Sequence, residues 1–223
     1  MLGKKIEKNS RFTKGAYTIS SILGLLVVIQ CLLFCIKHCI FLFVTRASFS
    51  DSMATMFGMI VLSVLFILFA KKQKISLSVF PRIFSKYYIL GTCIAVVLLV
   101  MTPSNYSGGF QAIILLVYGS VITPVFEELI FRGYVWNKLN TIFKKEWGTY
   151  IVTAVLFGVW HFGYFDSIAF RVELLGHTGL AKIMLMKVVI GLAFGVVLGA
   201  FRLITKNSYS TILLHGVMNI FGK

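Results

Sequence analysis

Three short strings hold the residues of this chain that could do chemistry. PVFEELIFR, residues 124–132, sets adjacent carboxylates, Glu127 and Glu128, and the guanidinium of Arg132 in an apolar stretch. FGVWH adds the imidazole of His161, and HGVMN adds His215 and the carboxamide of Asn219. The chain has only 7 Asp and Glu in 223 residues, so two of them side by side among apolar neighbours need a reason. Burying a charge is costly unless it is paired or used. A carboxylate and an imidazole sharing a desolvated pocket can hold and deprotonate one water. A second imidazole and an amide N–H can donate to the oxyanion that forms when this water attacks a peptide carbonyl. Ser120 is about two turns from Glu127, and Cys93 has no His near it in sequence, so neither makes a rival nucleophile. Water-mediated amide hydrolysis is the reaction class these groups permit.

Helical spacing divides the residues into roles. Glu128 and Arg132 are i, i+4 and can pair on one face. Glu127 is turned about 100° away and has no partner on its own helix. An unpaired carboxylate inside a membrane marks a functional site by default. His215 and Asn219, again i, i+4, point into one space. Pro124 removes a backbone bond to Ser120, which can bend the helix and open a cavity. A metal version also fits: Glu127, His161 and His215 match a hydrolytic zinc site with an open position. HExxH is absent and the two His lie on different helices, so zinc is an open cofactor assignment. A single membrane His or Asn is commonly an interhelical hydrogen-bonding residue; the joint pattern is what argues for catalysis.

The elements that must position these groups are membrane helices. The sequence is 58% hydrophobic and 13% charged, against about 45–50% and 25% in soluble domains. It reads as one integral membrane domain over residues 1–223: all-α, a polytopic transmembrane helical bundle of about seven (six to eight) spans. The spans are read at roughly 16–36 (or on to 44), 52–70, 87–103, 111–137, 148–165, 182–204 and 208–221. At about 1.5 Å per residue, Glu127, His161, His215 and Asn219 fall roughly 12–20 Å from the cytoplasmic ends of three helices. That shared depth is the main bottom-up observation.

The net charge of +15 sits in short segments between apolar runs, which reads as topology and anionic-lipid contact, with no nucleic-acid partner. Lys4, Lys5, Lys8, Arg11 and Lys14 precede the first span, and KKQKISLSVFPRIFSK, Lys138, Lys144, Lys145, Arg202 and Lys206 mark alternate connections. The positive-inside rule then puts the N-terminus in the cytoplasm. The basic start runs into apolar sequence without a small-residue cleavage site, as an uncleaved first span would, and NIFGK carries no lipidation signal. Cys31, Cys35 and Cys39 line one helical stripe as small apolar packing residues, Cys93 lies in another run, and zinc-type CxxC spacing is absent. His38 and His177 read as solvent- or interface-facing. Asn105-Tyr106-Ser107 matches a glycosylation acceptor, a pattern too short to carry a function. Gly191, Gly195 and Gly199 make a smooth face for close helix packing.

The three motifs, EExxxR, FxxxH and HxxxN in this order within 110–223, resemble those of the CPBP family, the CAAX-protease and bacteriocin-processing membrane proteins also called the Abi family. Residues 1–109 carry no motif. The resemblance implies an intramembrane endopeptidase open to the cytoplasm, acting on a peptide or a small membrane protein in the lipid bilayer. By analogy Glu127 and His161 would activate water, His215 and Asn219 would stabilise the oxyanion, and Glu128 and Arg132 would support the site. Members are described both as metalloproteases and as glutamate-dependent proteases. The short chain resembles the bacterial type, which implies the bacterial plasma membrane and a part in bacteriocin maturation, self-immunity or peptide-signal processing. Two rival functions fit parts of the pattern. A non-enzymatic bacteriocin immunity protein would suit the small basic chain. An ion-coupled transporter would use the buried Glu and His as a relay, although no inverted repeat is visible.

Overall fold

An apolar run in lipid must satisfy its own backbone hydrogen bonds, and helices do so within one segment. The computed structural model describes residues 2–102 and 107–221, with side chains from residue 13 onward. The acceptor pattern at 105–107, the side chains of the basic residues up to Arg11 and the last two residues fall wholly or partly outside that set. Seven helices run in order among the described residues: α1 (Leu2–Phe41), α2 (Ser48–Lys72), α3 (Lys86–Met101), α4 (Gly109–Leu139), α5 (Glu146–Leu174), α6 (Leu180–Thr205) and α7 (Ser208–Phe221). The described residues contain no strand. Five helices, α1, α2, α4, α5 and α6, are long and apolar enough to cross a bilayer. The other two, α3 with 16 residues and α7 with 14, are shorter than the roughly 20 a full span needs. The expected all-α bundle stands, with two elements longer than their hydropathy suggested. α1 is helical from Leu2, and α5 continues to Leu174 because the chain tightens into a single 3₁₀ turn at His161–Tyr164 and then resumes.

α4 is the central element. Phe126, Ile130, Phe131, Val135 and Leu139 are buried on it and join Ile22, Leu26, Ile29 and Leu33 of α1 and Met59, Leu62 and Phe66 of α2. The helix is wide twice, in π turns at Tyr118–Ile122 and Leu129–Val135. Pro124 cannot donate a backbone bond, and the wide turn immediately before it absorbs the break in the ladder. Pro124 therefore widens α4 where the sequence suggested a bend. Two carbonyls of that wide turn meet α7: Asn219 Nδ2 donates to Gly119 O at 2.7 Å, and a Cβ on Gly216 would stand 2.5 Å from Ser120 O.

Glycines set the other close contact as their spacing suggested. Added Cβ atoms at Gly191, Gly195 and Gly199 of α6 would meet His161 Nδ1 at 2.4 Å, Ala154 O at 2.8 Å and the Tyr150 ring at 2.6 Å, all on α5. Large apolar side chains such as Val27, Val64, Leu68 and Val97 point outward, the surface a lipid solvent requires. Cys31, Cys35, Cys39 and Cys93 are free thiols on that same exposed surface. The cysteine stripe therefore faces away from the neighbouring helices and does not pack against them.

Gly216→Ala should lower the unfolding midpoint in detergent. The new methyl meets a backbone carbonyl that cannot rotate away, an overpacking cost of about 1–3 kcal/mol. Gly24→Ala, with nothing within 4 Å of the added Cβ, is the matched control and should unfold like the parent chain.

Candidate active site

Glu127 and Glu128 end the α-helical segment between the two wide turns of α4 and Arg132 lies in the second, and all three meet α5, α6 or α7. Arg132 Nη1 donates to Glu128 Oε1 at 2.9 Å, and both side chains have no solvent exposure. Arg132 Nη2 donates to Gly195 O at 3.2 Å. Arg202 Nε in turn donates to Arg132 O at 3.3 Å. The face of the Arg132 guanidinium lies 4.4 Å from the centre of the Phe157 ring. The i, i+4 pair read from the sequence is thus a fully buried ion pair, fixed on three sides.

His215 joins this pair from α7. Its Nδ1 is 3.1 Å from Glu128 Oε1, and its Nε2 faces Glu127 Oε2 across 3.8 Å. With Nδ1–H donated to Glu128, the other ring nitrogen is aimed at Glu127. Glu127 has no Lys or Arg partner among the described contacts. Its Oε1 accepts the indole N–H of Trp160 at 3.2 Å and the phenol O–H of Tyr164 at 2.5 Å. Trp160 Nε1 also lies 3.1 Å from the Tyr164 oxygen, so the two donors on this carboxylate oxygen touch each other as well. Oε2 is left toward His215.

His161 is adjacent to this group without touching Glu127 through any described hydrogen bond. Its Nδ1 is 2.8 Å from Phe157 O, which leaves Nε2 as the outward nitrogen. Its ring packs on Phe157 at 5.2 Å and on Tyr164 at 5.7 Å between centres, and Phe157 packs on His215 at 5.9 Å. One phenyl ring therefore touches both imidazoles and carries Arg132 on its face. Asn219 sits one turn beyond His215 with one amide hydrogen committed to Gly119 O. Glu127, Glu128, Arg132 and His215 form one contact network, His161 borders it through Phe157 and Tyr164, and Asn219 borders it through α4. His38 and His177 are exposed, apart from this group, as expected.

Trp160 and Tyr164 are the residues that sequence reasoning missed. Both lie in the string WHFGY with His161, and the indole N–H and phenol O–H were signals that a buried acceptor stood nearby. Their i, i+4 spacing puts them on one face of α5, but nothing in that spacing names an acceptor 33 and 37 residues away on α4.

A family model described as Type II CAAX prenyl endopeptidase Rce1-like matches residues 109–221, just over half of the chain. The chain belongs to this Rce1-like family. Membership makes it a membrane-embedded endopeptidase at the family level, an integral membrane protein that meets peptide substrates in a lipid environment. The Rce1-like segment is α4 through α7, so Glu127, Glu128, Arg132, Trp160, His161, Tyr164, His215 and Asn219 all fall inside it. No curated protein and no solved structure matches the chain.

Replacing Arg132 by Met should leave Glu128 buried and without its cation, a loss of about 3–5 kcal/mol. The expected result is little monodisperse protein on size exclusion, with recovery when Glu128→Gln is added. An Arg132→Met chain that purifies and unfolds like the parent would contradict this part for the ion pair.

Proposed function

We propose that the chain hydrolyses a peptide bond within the bilayer, using a water activated by Glu127. The observation that carries this is the Glu127 Oε2 to His215 Nε2 separation of 3.8 Å, too long for a direct hydrogen bond and short enough for one water to bond both. Trp160 and Tyr164 occupy Oε1, so Oε2 is the basic atom. In the reaction the water gives a proton to Glu127 Oε2 as its oxygen attacks the peptide carbonyl carbon. The tetrahedral intermediate collapses as that proton passes to the leaving nitrogen, and the C–N bond breaks. His161 Nε2 orients the attacking water. His215, carrying a proton on each ring nitrogen, donates from Nε2 to the oxyanion together with the second amide hydrogen of Asn219.

Glu128 and Arg132 serve by holding His215. An Arg-bonded carboxylate fixes the imidazole through Nδ1 and keeps Glu128 out of the chemistry. Zinc is a poor fit to the side chains as they stand. Among the described residues no three His, Cys, Asp or Glu side chains are grouped to share an ion. No step is therefore assigned to a metal.

The orientation follows from the charges. Lys14 borders the same hollow as Lys144, and Lys206 pairs with Glu146, so the basic connections share one end of the bundle. At the other end Arg46 is neutralised by Asp51 and Asp166. We assign the basic end and the N-terminus to the cytoplasm of a bacterial plasma membrane. The substrates to assay first are bacteriocin-type and signal-type peptides.

In liposomes, Glu127→Gln should cut the rate of peptide cleavage by about 10²–10⁴-fold with insertion and unfolding unchanged. Zinc chelators should leave the parent activity intact. Equal cleavage by Glu127→Gln and parent, or stoichiometric zinc whose removal stops turnover, would refute the mechanism.

A further inference from the structure

α1 lies outside the family-matched segment, yet it reaches the turn on which the site stands. His161–Tyr164 is a single 3₁₀ turn inside α5, a form with poorer hydrogen-bond geometry than the α-helix around it. Gln30, in the membrane-spanning part of α1, lays its carboxamide directly on Gly163. A Cβ added at Gly163 would stand 2.1 Å from Gln30 Cδ and Nε2. Gln30 Nε2 donates to Trp160 O at 3.3 Å, the carbonyl immediately before the turn.

Farther along α1, Lys37, which is buried, ties the other side of the turn. Its ammonium lies 2.9 Å from Asp166 Oδ2 and 2.5 Å from Ser167 Oγ. Asp51 of α2 and Arg46 complete that ion cluster, with Lys37 Nζ 3.1 Å from Asp51 Oδ1 and Arg46 2.7 Å from Asp166. The contacts from α1 therefore bracket the turn. Gln30 Oε1 is buried without a protein partner. Gln30 also lines, with Thr55, Tyr164 and Asp166, a hollow of about 20 Å³, which is room for one water. A carboxamide in mid-span is tolerated where it bonds a neighbouring helix, and here that bond is to the turn.

We propose that Gln30 is a positioning residue for hydrolysis: seated on Gly163 and bonded to Trp160 O, it sets the turn that lets Trp160 and Tyr164 hold Glu127 beside His161. The proposal rests on the proteolytic reading above and extends the working site to α1. It acts through geometry, so it should move the chemical step and leave substrate binding alone.

The test uses the full chain in liposomes with a peptide that the parent cleaves. Gln30→Leu should lower kcat about 10-fold with KM within about twofold and the unfolding midpoint unchanged. Gly163→Ala pushes the carboxamide off Trp160 O and should give the same loss. The double variant should be no worse than either single one, because both remove one contact. Parent-like kcat in Gln30→Leu, a loss carried by KM alone, or single losses that multiply to about 100-fold in the double variant would each overturn it. If Gln30→Leu does not fold, Gly163→Ala decides by the same kcat criterion.

The contact itself has a readout apart from activity. With the four native cysteines replaced by Ala, Gln30→Cys and Gly163→Cys should form a disulfide on mild oxidation, and failure to do so would overturn the placement. A disulfide in a chain whose parent cleaves no peptide would sink the proteolytic reading and leave the α1 contact standing.

Discussion

A guanidinium and two carboxylates lie side by side in the buried centre of the bundle, and the rest of the molecule is arranged around that fact. Arg132 and Glu128 are fully buried, and Glu127 is nearly so. Charges in such a place persist only if each is answered by a partner of fixed geometry. Glu128 has Arg132 and His215, and Arg132 has Glu128, Gly195 O and the Phe157 ring. Glu127 is answered differently, by two neutral donors on one oxygen. Arg132 is thereby committed to the structural carboxylate, and the other keeps an oxygen for chemistry.

The backbone provides for this arrangement in two ways. Wide turns flank the helical segment that carries Glu127 and Glu128, and the first of them releases carbonyls that α7 meets with Gly216 and Asn219. Glycines on α6 let α5 come close enough for Phe157 and His161 to border the ion pair. Each device depends on residues that are cheap individually: a proline, a few glycines and an amide. Their cost is set by what would clash if they changed: backbone at Gly195 and Gly216, and aromatic rings at Gly191 and Gly199.

Much of this was legible in the sequence. The acidic pair in an apolar run, the i, i+4 spacing of Glu128 and Arg132, the glycine row and the bundle of about seven helices follow from composition and from the helix period, and the structure has all of them. The partners of Glu127 did not follow, because they stand on another helix 33 and 37 residues along the chain, and spacing within one helix does not name a partner on the next. Nor did the contribution of α1: Gln30 and Lys37 stand more than a hundred residues from the atoms they bond, and an isolated polar residue in an apolar helix does not name its partner. The length of α5 was misjudged for a related reason, since the polar residues after Phe165 face the ion cluster of α1 and α2 and so lower the apparent hydropathy of a helix that continues.

The central claim is that water, held by Glu127, is the nucleophile, and that no protein atom becomes bonded to the substrate. A single turnover in ¹⁸O-labelled water distinguishes the two outcomes directly, with mass spectrometry of both the peptide products and the protein. The account predicts one ¹⁸O in the newly formed carboxylate of the peptide and an unlabelled Glu127. Label in the Glu127 carboxylate, with an unlabelled peptide product, would show that the side chain itself attacked and would contradict the account.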